Sequence, residues 1–458
     1  MISQQNLLLQ LSGNRIIIVL IALGLLISCA SSTPARGTKV LDPDKHKEKE
    51  EEVVAIPVDT VQWTVVPEED SPPITSDDAR VESYLLEKVK KDYYKIALLL
   101  PFRIDESIAI PNLSSNNEKF ASFYAGMKLA GKEQADVRIS VKTYYTDRDL
   151  TKLSSILEDM DRDQPDLIIG SYDSAIISKT AEWAKSNRVP LISPWGSSTK
   201  ITEENVFYLQ LRPSITNYYE KMLEHINDNF DRSKVYMLGR EERADQTMFR
   251  VIRRINERNS PLPEVTPYNE LILSMDQLMN EDSLFIEVLE EGAQAFILPQ
   301  YASTDDAYVY SCLRKLYAEK GDSDIYIYTM PMLLNSDRID INIFKNINTR
   351  TCEFRFPDPR NPDVQNFRSQ YYNSYGWLPT KDSYYGYDVM KFIAYGLENH
   401  GQYFHYYMQN ESLDLMQMKI NIKPYHKVEG SERPDFLVND HLYLIEFDTD
   451  HFDIKDIR

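Results

Sequence analysis

The part of the chain that decides the fold begins with Lys95-Ile96-Ala97-Leu98-Leu99-Leu100-Pro101. An unbroken apolar run that ends at a proline is typical of a strand buried on both faces of a parallel sheet. The next apolar residues recur at the spacing of one helical face: Phe120, Phe123, Met127 and Ala130. The sequence therefore predicts a buried strand followed by an amphipathic helix, which is the first half of a β-α-β unit.

The same alternation of strand and helix continues outward from this unit. Strand patterns fall at 137–145, 166–170, 189–193, 234–239, 293–299 and 324–330. Helix patterns fall between them, at 153–160, 175–185, 216–229, 244–258 and 305–319. Strands that alternate with single helices predict parallel sheets covered by helices on both faces. Because the pattern occurs in two runs, we predict an α/β protein with two doubly wound, parallel-sheet lobes.

The first residues have the pattern of a bacterial lipoprotein signal. Arg15 supplies a positive charge, residues 16–27 are apolar apart from Gly24, and Ser28-Cys29 follows. A signal-peptide core needs ~7–15 apolar residues, whereas a membrane-spanning helix needs ~20. This pattern resembles the lipobox, whose cysteine is acylated before the signal, here residues 1–28, is removed. The alternative is an uncleaved signal anchor.

If Cys29 is lipidated, the protein is anchored to a membrane of the cell envelope. Ala30 is compatible with sorting to the outer membrane, and we expect the protein to face the periplasm. Residues 29–92 then form a tether, which is acidic and rich in proline. Such a composition buries too little apolar surface to offset the entropy lost on ordering, so we expect this tether to be flexible.

The net charge and the cysteines restrict the possible partners. A net charge of −20 argues against nucleic acid, because phosphate binding needs a basic surface. Beyond Cys29 the chain has only Cys312 and Cys352. They fall in different predicted lobes, so we expect two buried free thiols; a disulfide between them is the alternative.

Common catalytic and metal-binding motifs are missing from the sequence. It has no G-x-S-x-G elbow, H-E-x-x-H helix or G-x-x-x-x-G-K-[ST] phosphate loop. The histidines lack metal-ligand spacing, and we expect His400 and His405 to lie at the surface. The sequence therefore predicts a protein that is not an enzyme and that needs no cofactor.

Two loops at the carboxyl ends of predicted strands are candidates for ligand binding, since open α/β sheets bind ligands there. The first is Ser171-Tyr172-Asp173-Ser174, and the second runs from Ser193 through Pro194-Trp195-Gly196-Ser197-Ser198. Hydroxyl groups and free backbone N–H groups at a helix N-terminus suit an anion, and an indole suits stacking. The alternative is that the serines cap helices and Trp195 packs between the lobes.

At this point the sequence resembles the type I periplasmic binding proteins, the fold of the leucine/isoleucine/valine receptors. The similar stretches keep the family's order over about 93–447: 95–101, 123–130, 166–170, 189–193, 206–209 and 384–388. The resemblance implies two lobes joined by three crossovers, near 213, 330 and 422. Lobe I would then comprise 93–213 and 330–422, and lobe II 214–329 and 423–458.

The resemblance also implies a ligand in the cleft between the lobes. The loops at 171–174 and 193–198 occupy positions that usually hold the carboxylate and ammonium of an amino acid, and Tyr301 belongs to a loop that usually closes over the ligand. Two departures stand out. A long segment, 102–117, replaces a short glycine-rich turn, and Arg240-Glu241-Glu242-Arg243 replaces an aromatic residue followed by glycine.

Two functional hypotheses follow. The first is a lipid-anchored solute-binding protein of the amino acid transport type, which closes on a small polar ligand through Ser171, Ser174, Ser193, Trp195, Ser197, Ser198 and Tyr301. The second is a non-catalytic outer-membrane lipoprotein that regulates or scaffolds a cell-envelope protein partner. The long tether favours the second and the hydroxyl-rich loops favour the first; between them we favour ligand binding.

Overall fold

The computed structural model describes residues 88, 90–102, 115–133, 137–258, 266–289, 291–335, 340–428, 430–448 and 451–455. All of them belong to one compact unit, Asp59–Arg458. The predicted signal, Cys29, all but the last residues of the tether and most of the segment at 102–117 lie outside the described ranges. None of the described helices is long and apolar enough to cross a membrane.

Strands and helices alternate along most of the described chain. The strands are β1 (Tyr93–Leu100), β2 (Arg138–Tyr145), β3 (Leu167–Ile169), β4 (Leu191–Ser193), β5 (Tyr208–Gln210), β6 (Val235–Gly239), β7 (Asn269–Ile272), β8 (Gln294–Leu298), β9 (Ile325–Thr329), β10 (Thr349–Glu353), β11 (Ser412–Asp414), β12 (Lys419–Tyr425), β13 (Phe436–Asn439), β14 (Tyr443–Asp448) and β15 (His451–Lys455). The helices are α1 (Ser115–Lys132), α2 (Leu150–Asp163), α3 (Ser174–Asn187), α4 (Ile215–Asn229), α5 (Arg243–Arg258), α6 (Met275–Asn280), α7 (Asp306–Glu319), α8 (Ile341–Asn346), α9 (Pro362–Tyr375), α10 (Lys381–His400) and α11 (Phe404–Tyr407). The predicted strands match β1, β2, β3, β4, β6, β8 and β9.

The strands form two sheets, one in each lobe. The sheet of lobe I has the order β11-β12-β13-β5-β4-β3-β1-β2, and that of lobe II the order β15-β14-β10-β9-β8-β6-β7. Pairing is parallel from β1 to β5 and from β6 to β10, while the strands near one edge of each sheet pair antiparallel. The predicted class of two lobes with mainly parallel sheets is confirmed.

The apolar run 95–100 forms most of β1, which lies between β2 and β3 in the sheet of lobe I. Ile96 to Leu100 in β1 are buried. Ile96, Leu98 and Leu100 pack with α1 in one core, whereas Ala97 and Leu99 pack with α2 and α3 in another. Because successive side chains of a strand point to opposite faces, a strand covered on both faces needs an unbroken apolar run.

The chain changes sheet three times, after β5, after β10 and after β13. The first change agrees with the predicted position near 213, but the second and third come later than 330 and 422. Since β10 pairs with β9, the chain stays in lobe II until 353. Since β13 pairs with β5, it stays in lobe I until 439. Paired strands can be far apart in the sequence, so the apolar pattern of one segment does not predict which sheet it joins.

Two glycines allow α1 and α10 to touch backbone to backbone. A Cβ atom on Gly126 of α1 would overlap the carbonyl oxygen of Ser383 in α10. A Cβ on Gly386 of α10 would overlap the carbonyl oxygen of Phe123 in α1. Both glycines lie in stretches that carried the family resemblance, and their role there is this close helix contact.

The remaining cysteines and two histidines are buried. Cys312 and Cys352 are free, as predicted, but both lie in lobe II, so the argument from separate lobes was wrong. His400 and His405, expected at the surface, are also buried. The Nε2 atom of His405 donates to the carbonyl oxygen of Val206 at 3.0 Å. This hydrogen bond makes the burial of a neutral imidazole tolerable.

Candidate ligand-binding cleft

A cavity of about 460 Å³ lies where the two lobes meet. Lobe I contributes Lys119, residues 194, 195 and 197–200, and Tyr385. Lobe II contributes residues 215, 216 and 218, Tyr301, residues 330–332 and Glu353, and the connecting segments contribute 212–214 and 354–355. This volume is within the range of ~300–1,000 Å³ that is usual for small-molecule sites.

Four of the residues predicted to bind a ligand line this cavity: Trp195, Ser197, Ser198 and Tyr301. They come from both lobes, although more than a hundred positions separate Tyr301 from the others in the sequence. The fold therefore brings together the loop after β4 and the loop after β8, which are both at carboxyl ends of parallel strands.

Three other predicted residues do not line the cavity. Ser193 is buried in β4, where its Oγ accepts from the backbone N–H of Gly196 at 3.3 Å and so shapes the turn. Ser174 is exposed at the first position of α3. Ser171 is fully buried, and its Oγ has no hydrogen-bond partner among the described residues. The Ser171–Ser174 loop therefore reaches the carboxyl edge of the sheet without reaching the cavity.

Trp195 serves the core and the cavity at once. Its ring lies 4.6 Å from that of Phe123 and 5.1 Å from that of Phe120, and the residue is only 6% exposed. Its indole Nε1 is buried without a hydrogen-bond partner in the described structure. A buried donor without a partner costs ~1–3 kcal/mol.

Sequence reasoning missed the charged residues of the cavity. The lining includes the cations Lys119, Lys200, Arg212 and Arg355, against one carboxylate, Glu353. Arg212 precedes Pro213 at the first predicted crossover, and that position was an available signal. Arg355 had no comparable signal, because the second crossover was placed near 330.

Two aromatic rings, those of Tyr385 and Phe354, pack against the guanidinium of Arg355. Its guanidinium carbon lies 4.5 Å from the ring centroid of Tyr385 and 5.0 Å from that of Phe354. Its Nη1 is 3.6 Å from Oδ1 of Asp382, too far for a hydrogen bond, and it is buried without a hydrogen-bond partner in the described ranges. The guanidinium therefore packs against both rings, while Nη1 makes no hydrogen bond to the described residues.

Glu353 is already engaged by the protein. Its Oε1 accepts from the backbone N–H of Phe354 at 2.9 Å and from the hydroxyl of Tyr218 at 3.4 Å. Burial raises the pKa of the Tyr218 phenol well above its ordinary value, so the phenol remains a donor. Both contacts use Oε1, so Oε2 is the atom of this lining carboxylate that could accept from a cationic ligand group.

The ammonium of Lys119, on α1, lies near several other charged side chains. Burial lowers the pKa of its ammonium to about 8; Asp382 opposes the shift, and the positive charges of Arg355, Arg212 and Arg148 add to it. Its Nζ lies 4.8 Å from the ring centroid of Tyr172. Nearby cations and partial desolvation make its charged form costly until an anion is present.

In lobe II, Arg240 of the charged turn 240–243 takes part in a network of ion pairs and hydrogen bonds. Arg240 contacts Asp245 at 2.9 Å and Asp305 at 2.7 Å, and Asp245 also accepts from Nε2 of Gln300 at 3.0 Å. Asp245 is completely buried. The network joins the segments that follow β6 and β8, so Arg240 rigidifies this side of the cleft, where the family usually has an aromatic residue and glycine.

The described residues contain no cluster of three or more side chains able to hold a metal ion. What they contain is a mid-sized cavity between two lobes, with unused buried donors and aromatic walls. A cavity of this size and lining has the properties of a small-molecule site. The fold and the cavity define the class of two-lobed α/β binding proteins.

Comparison with known proteins agrees with this class. The model of the receptor family ligand binding region matches residues 131–426, and the chain belongs to that family. No curated protein matches the chain. Several solved structures share its fold at low sequence identity.

Three of these structures are informative about the fold. A protein from Rhodospirillum rubrum superposes with a TM-score of 0.58 at 13% identity, covering 79% of this chain and 100% of its own. An ABC transporter substrate-binding protein from Desulfitobacterium hafniense, in complex with Leu, gives 0.51 at 12% identity, with the same coverage. A branched-chain amino acid ABC transporter periplasmic ligand-binding protein from Burkholderia xenovorans gives 0.52 at 10% identity, covering 79% and 94%.

Proposed function

We propose that this protein is a solute-binding protein of the cell envelope whose two lobes close on a small polar ligand. The cavity between the lobes carries the proposal, because it joins predicted binding residues of both lobes around buried donors without partners. Structurally similar proteins include a substrate-binding protein in complex with Leu, which supports amino acids as the first compounds to test.

The proposal includes an anchor and a location. Cys29 carries the lipid, residues 29–92 act as the tether, and the protein is attached to the outer membrane with the binding unit in the periplasm. The apolar run that ends at Cys29 supports this part of the proposal. The protein acts by binding, without catalysis.

A thermal-shift screen of the purified protein against amino acids and aromatic acids tests the binding function. A ligand at a hundredfold excess over its dissociation constant would stabilise the protein by ~2.7 kcal/mol. Ser197→Phe, which fills the cavity, should abolish the shift, whereas Ser174→Phe, outside the cavity, should preserve it. A shift that survives Ser197→Phe would place the ligand elsewhere.

The second candidate is a non-catalytic regulator of an envelope protein. One observation favours it: Tyr372, Trp377 and Leu378, near the turn between α9 and α10, are more than half exposed. Large apolar side chains exposed together are a feature of protein-contact surfaces. If no compound shifts the melting temperature while an envelope protein co-purifies in a Trp377-dependent manner, this candidate replaces the first.

A further inference from the structure

We propose that the cleft ligand is a small dianion with an apolar body, held by Lys119, Arg212 and Arg355. This inference rests on the proposed binding function and narrows it to one chemical class. The three cations come from α1, from the first connection between the lobes and from the second connection. A ligand that engages all three therefore touches both connections and one lobe.

The charge balance of the cavity opposes a zwitterion. Four cations and one carboxylate leave an excess of three positive charges among the lining residues, in a chain whose net charge is −20. Asp382 does not line the cavity; its Oδ1 lies 3.6 Å from Nη1 of Arg355, so its negative charge reduces the excess to two. An amino acid has no net charge, and its ammonium would find one lining carboxylate, Glu353, whose Oε1 already accepts from Tyr218 and Phe354, against four lining cations.

The donor groups of the lining also fit anionic oxygens. Lys119, Arg212 and Arg355 line the cavity, and Arg355 Nη1 and Trp195 Nε1 are buried without hydrogen-bond partners among the described residues. Guanidinium groups present planar pairs of N–H donors that match a carboxylate or a phosphate. Two anionic groups would use more of these donors than a single carboxylate can.

The walls between the cations suit an apolar body. Trp195, Tyr385, Phe354 and Tyr301 line the cavity, and the rings of Trp195 and Tyr385 both pack against Phe123. Rigid aromatic walls favour a flat or compact apolar group over a flexible polar one. The ligand class is thus a dianion whose charges are separated by a ring or a short hydrocarbon.

Calorimetry with matched compounds tests this inference on the full chain. Terephthalate is compared with benzoate, and glutarate with butyrate, because each pair differs by one carboxylate; leucine is the zwitterion. We expect each dianion to bind at least tenfold more tightly than its monoanion and than leucine. Methyl phosphate separates a phosphate-type dianion from a dicarboxylate, and tighter binding of methyl phosphate than of terephthalate and glutarate would overturn the inference of two separated charges.

Substitutions of the lining cations test which of them bind the dianion. Lys119→Gln and Arg355→Gln should each weaken terephthalate binding about tenfold, and Arg355→Lys should recover part of the loss. Lys128→Gln is the matched control, since Lys128 is exposed on the same helix as Lys119 and does not line this cavity. Thermal melts of the free variants establish that they fold.

The outcomes separate the inference from the proposed function. If leucine binds as tightly as terephthalate, or if Lys119→Gln and Arg355→Gln bind terephthalate as well as Lys128→Gln does, the dianion inference is wrong and the binding function stands. If none of these compounds binds, the dianion inference is wrong, and the proposed function fails with it only if the thermal-shift screen also finds no ligand.

Discussion

The guanidinium of Arg355 stacks 4.5 Å from the ring of Tyr385, whose hydroxyl donates to the carbonyl oxygen of Pro194 at 2.5 Å. Through these contacts, the second connection between the lobes, at 354–355, touches α10, and α10 in turn touches the loop that carries Trp195. The position of the cleft arginine therefore depends on a tyrosine that belongs to the core of lobe I.

Tyr385→Phe should destabilise the protein by about 1–2 kcal/mol, because it leaves the carbonyl of Pro194 without its donor while the ring remains. Urea unfolding measures the loss. Tyr372→Phe, at a half-exposed site on α9, is the control and should change stability by less than ~0.5 kcal/mol. Equal stabilities of the two variants would show that the Tyr385 hydrogen bond contributes nothing.

Gly126→Ala should destabilise the protein by about 1–3 kcal/mol, because the new Cβ overlaps the backbone of α10 and the helices must move apart. Gly131→Ala on the same helix is the matched control. Its Cβ would meet nothing closer than the Cε of Met390 at 3.9 Å, so helix propensity should leave it neutral or up to ~1 kcal/mol more stable. Thermal unfolding of both variants decides between packing and propensity.

Asp245→Ala should cost about 3–5 kcal/mol, since it removes a buried carboxylate and leaves the Arg240 guanidinium short of a partner. Glu242→Ala provides the comparison: its side chain is 64% exposed and lies 3.8 Å from the same arginine. Exposed ion pairs contribute ~0–1 kcal/mol, so its melting temperature should scarcely change. Similar losses in both variants would contradict the network.

The affinity for terephthalate should fall roughly tenfold between pH 7 and pH 9. The Lys119 ammonium, whose pKa burial lowers to about 8, is charged below that pH, and a bound anion stabilises the charged form. Binding is therefore strongest below the pKa and is lost as the pH rises through it. Calorimetry across this range measures the slope.

The Lys119→Arg variant isolates the cause, because arginine stays charged throughout this pH range. Its affinity should be nearly independent of pH. The other charges around Lys119, from Asp382, Arg355, Arg212 and Arg148, are unchanged in the variant. A slope that persists in Lys119→Arg would assign the titration to another group.

Cys29→Ser should release the protein from the membrane fraction, because a serine hydroxyl does not accept the lipid that a lipobox cysteine accepts. Fractionation and a mass measurement of the N-terminal peptide follow the change. Ser28→Ala keeps both a small residue and the cysteine, so it should remain lipidated. Retention of Cys29→Ser in the membrane at the wild-type level would contradict the anchor.

The elements of the core could be predicted because their signals are local. The unbroken apolar run of β1 and the spaced apolar residues of α1 each report how many of their faces are buried. The assignments of β10 to lobe II and of β13 to lobe I could not be predicted in this way, because they depend on which distant strand offers a free edge.

By itself, the sequence determined the two-lobed α/β class, most of the parallel strands and the loops that reach the carboxyl edges of the sheets. Only the tertiary structure decided which side chains share the cleft: Trp195, Ser197, Ser198 and Tyr301 do, whereas Ser171, Ser174 and Ser193 do not. It also placed Lys119, Arg212 and Arg355 around one cavity. The physical reason is that apolar periodicity records burial along a single element, while a binding site is made by charges and donors that meet only when distant segments pack.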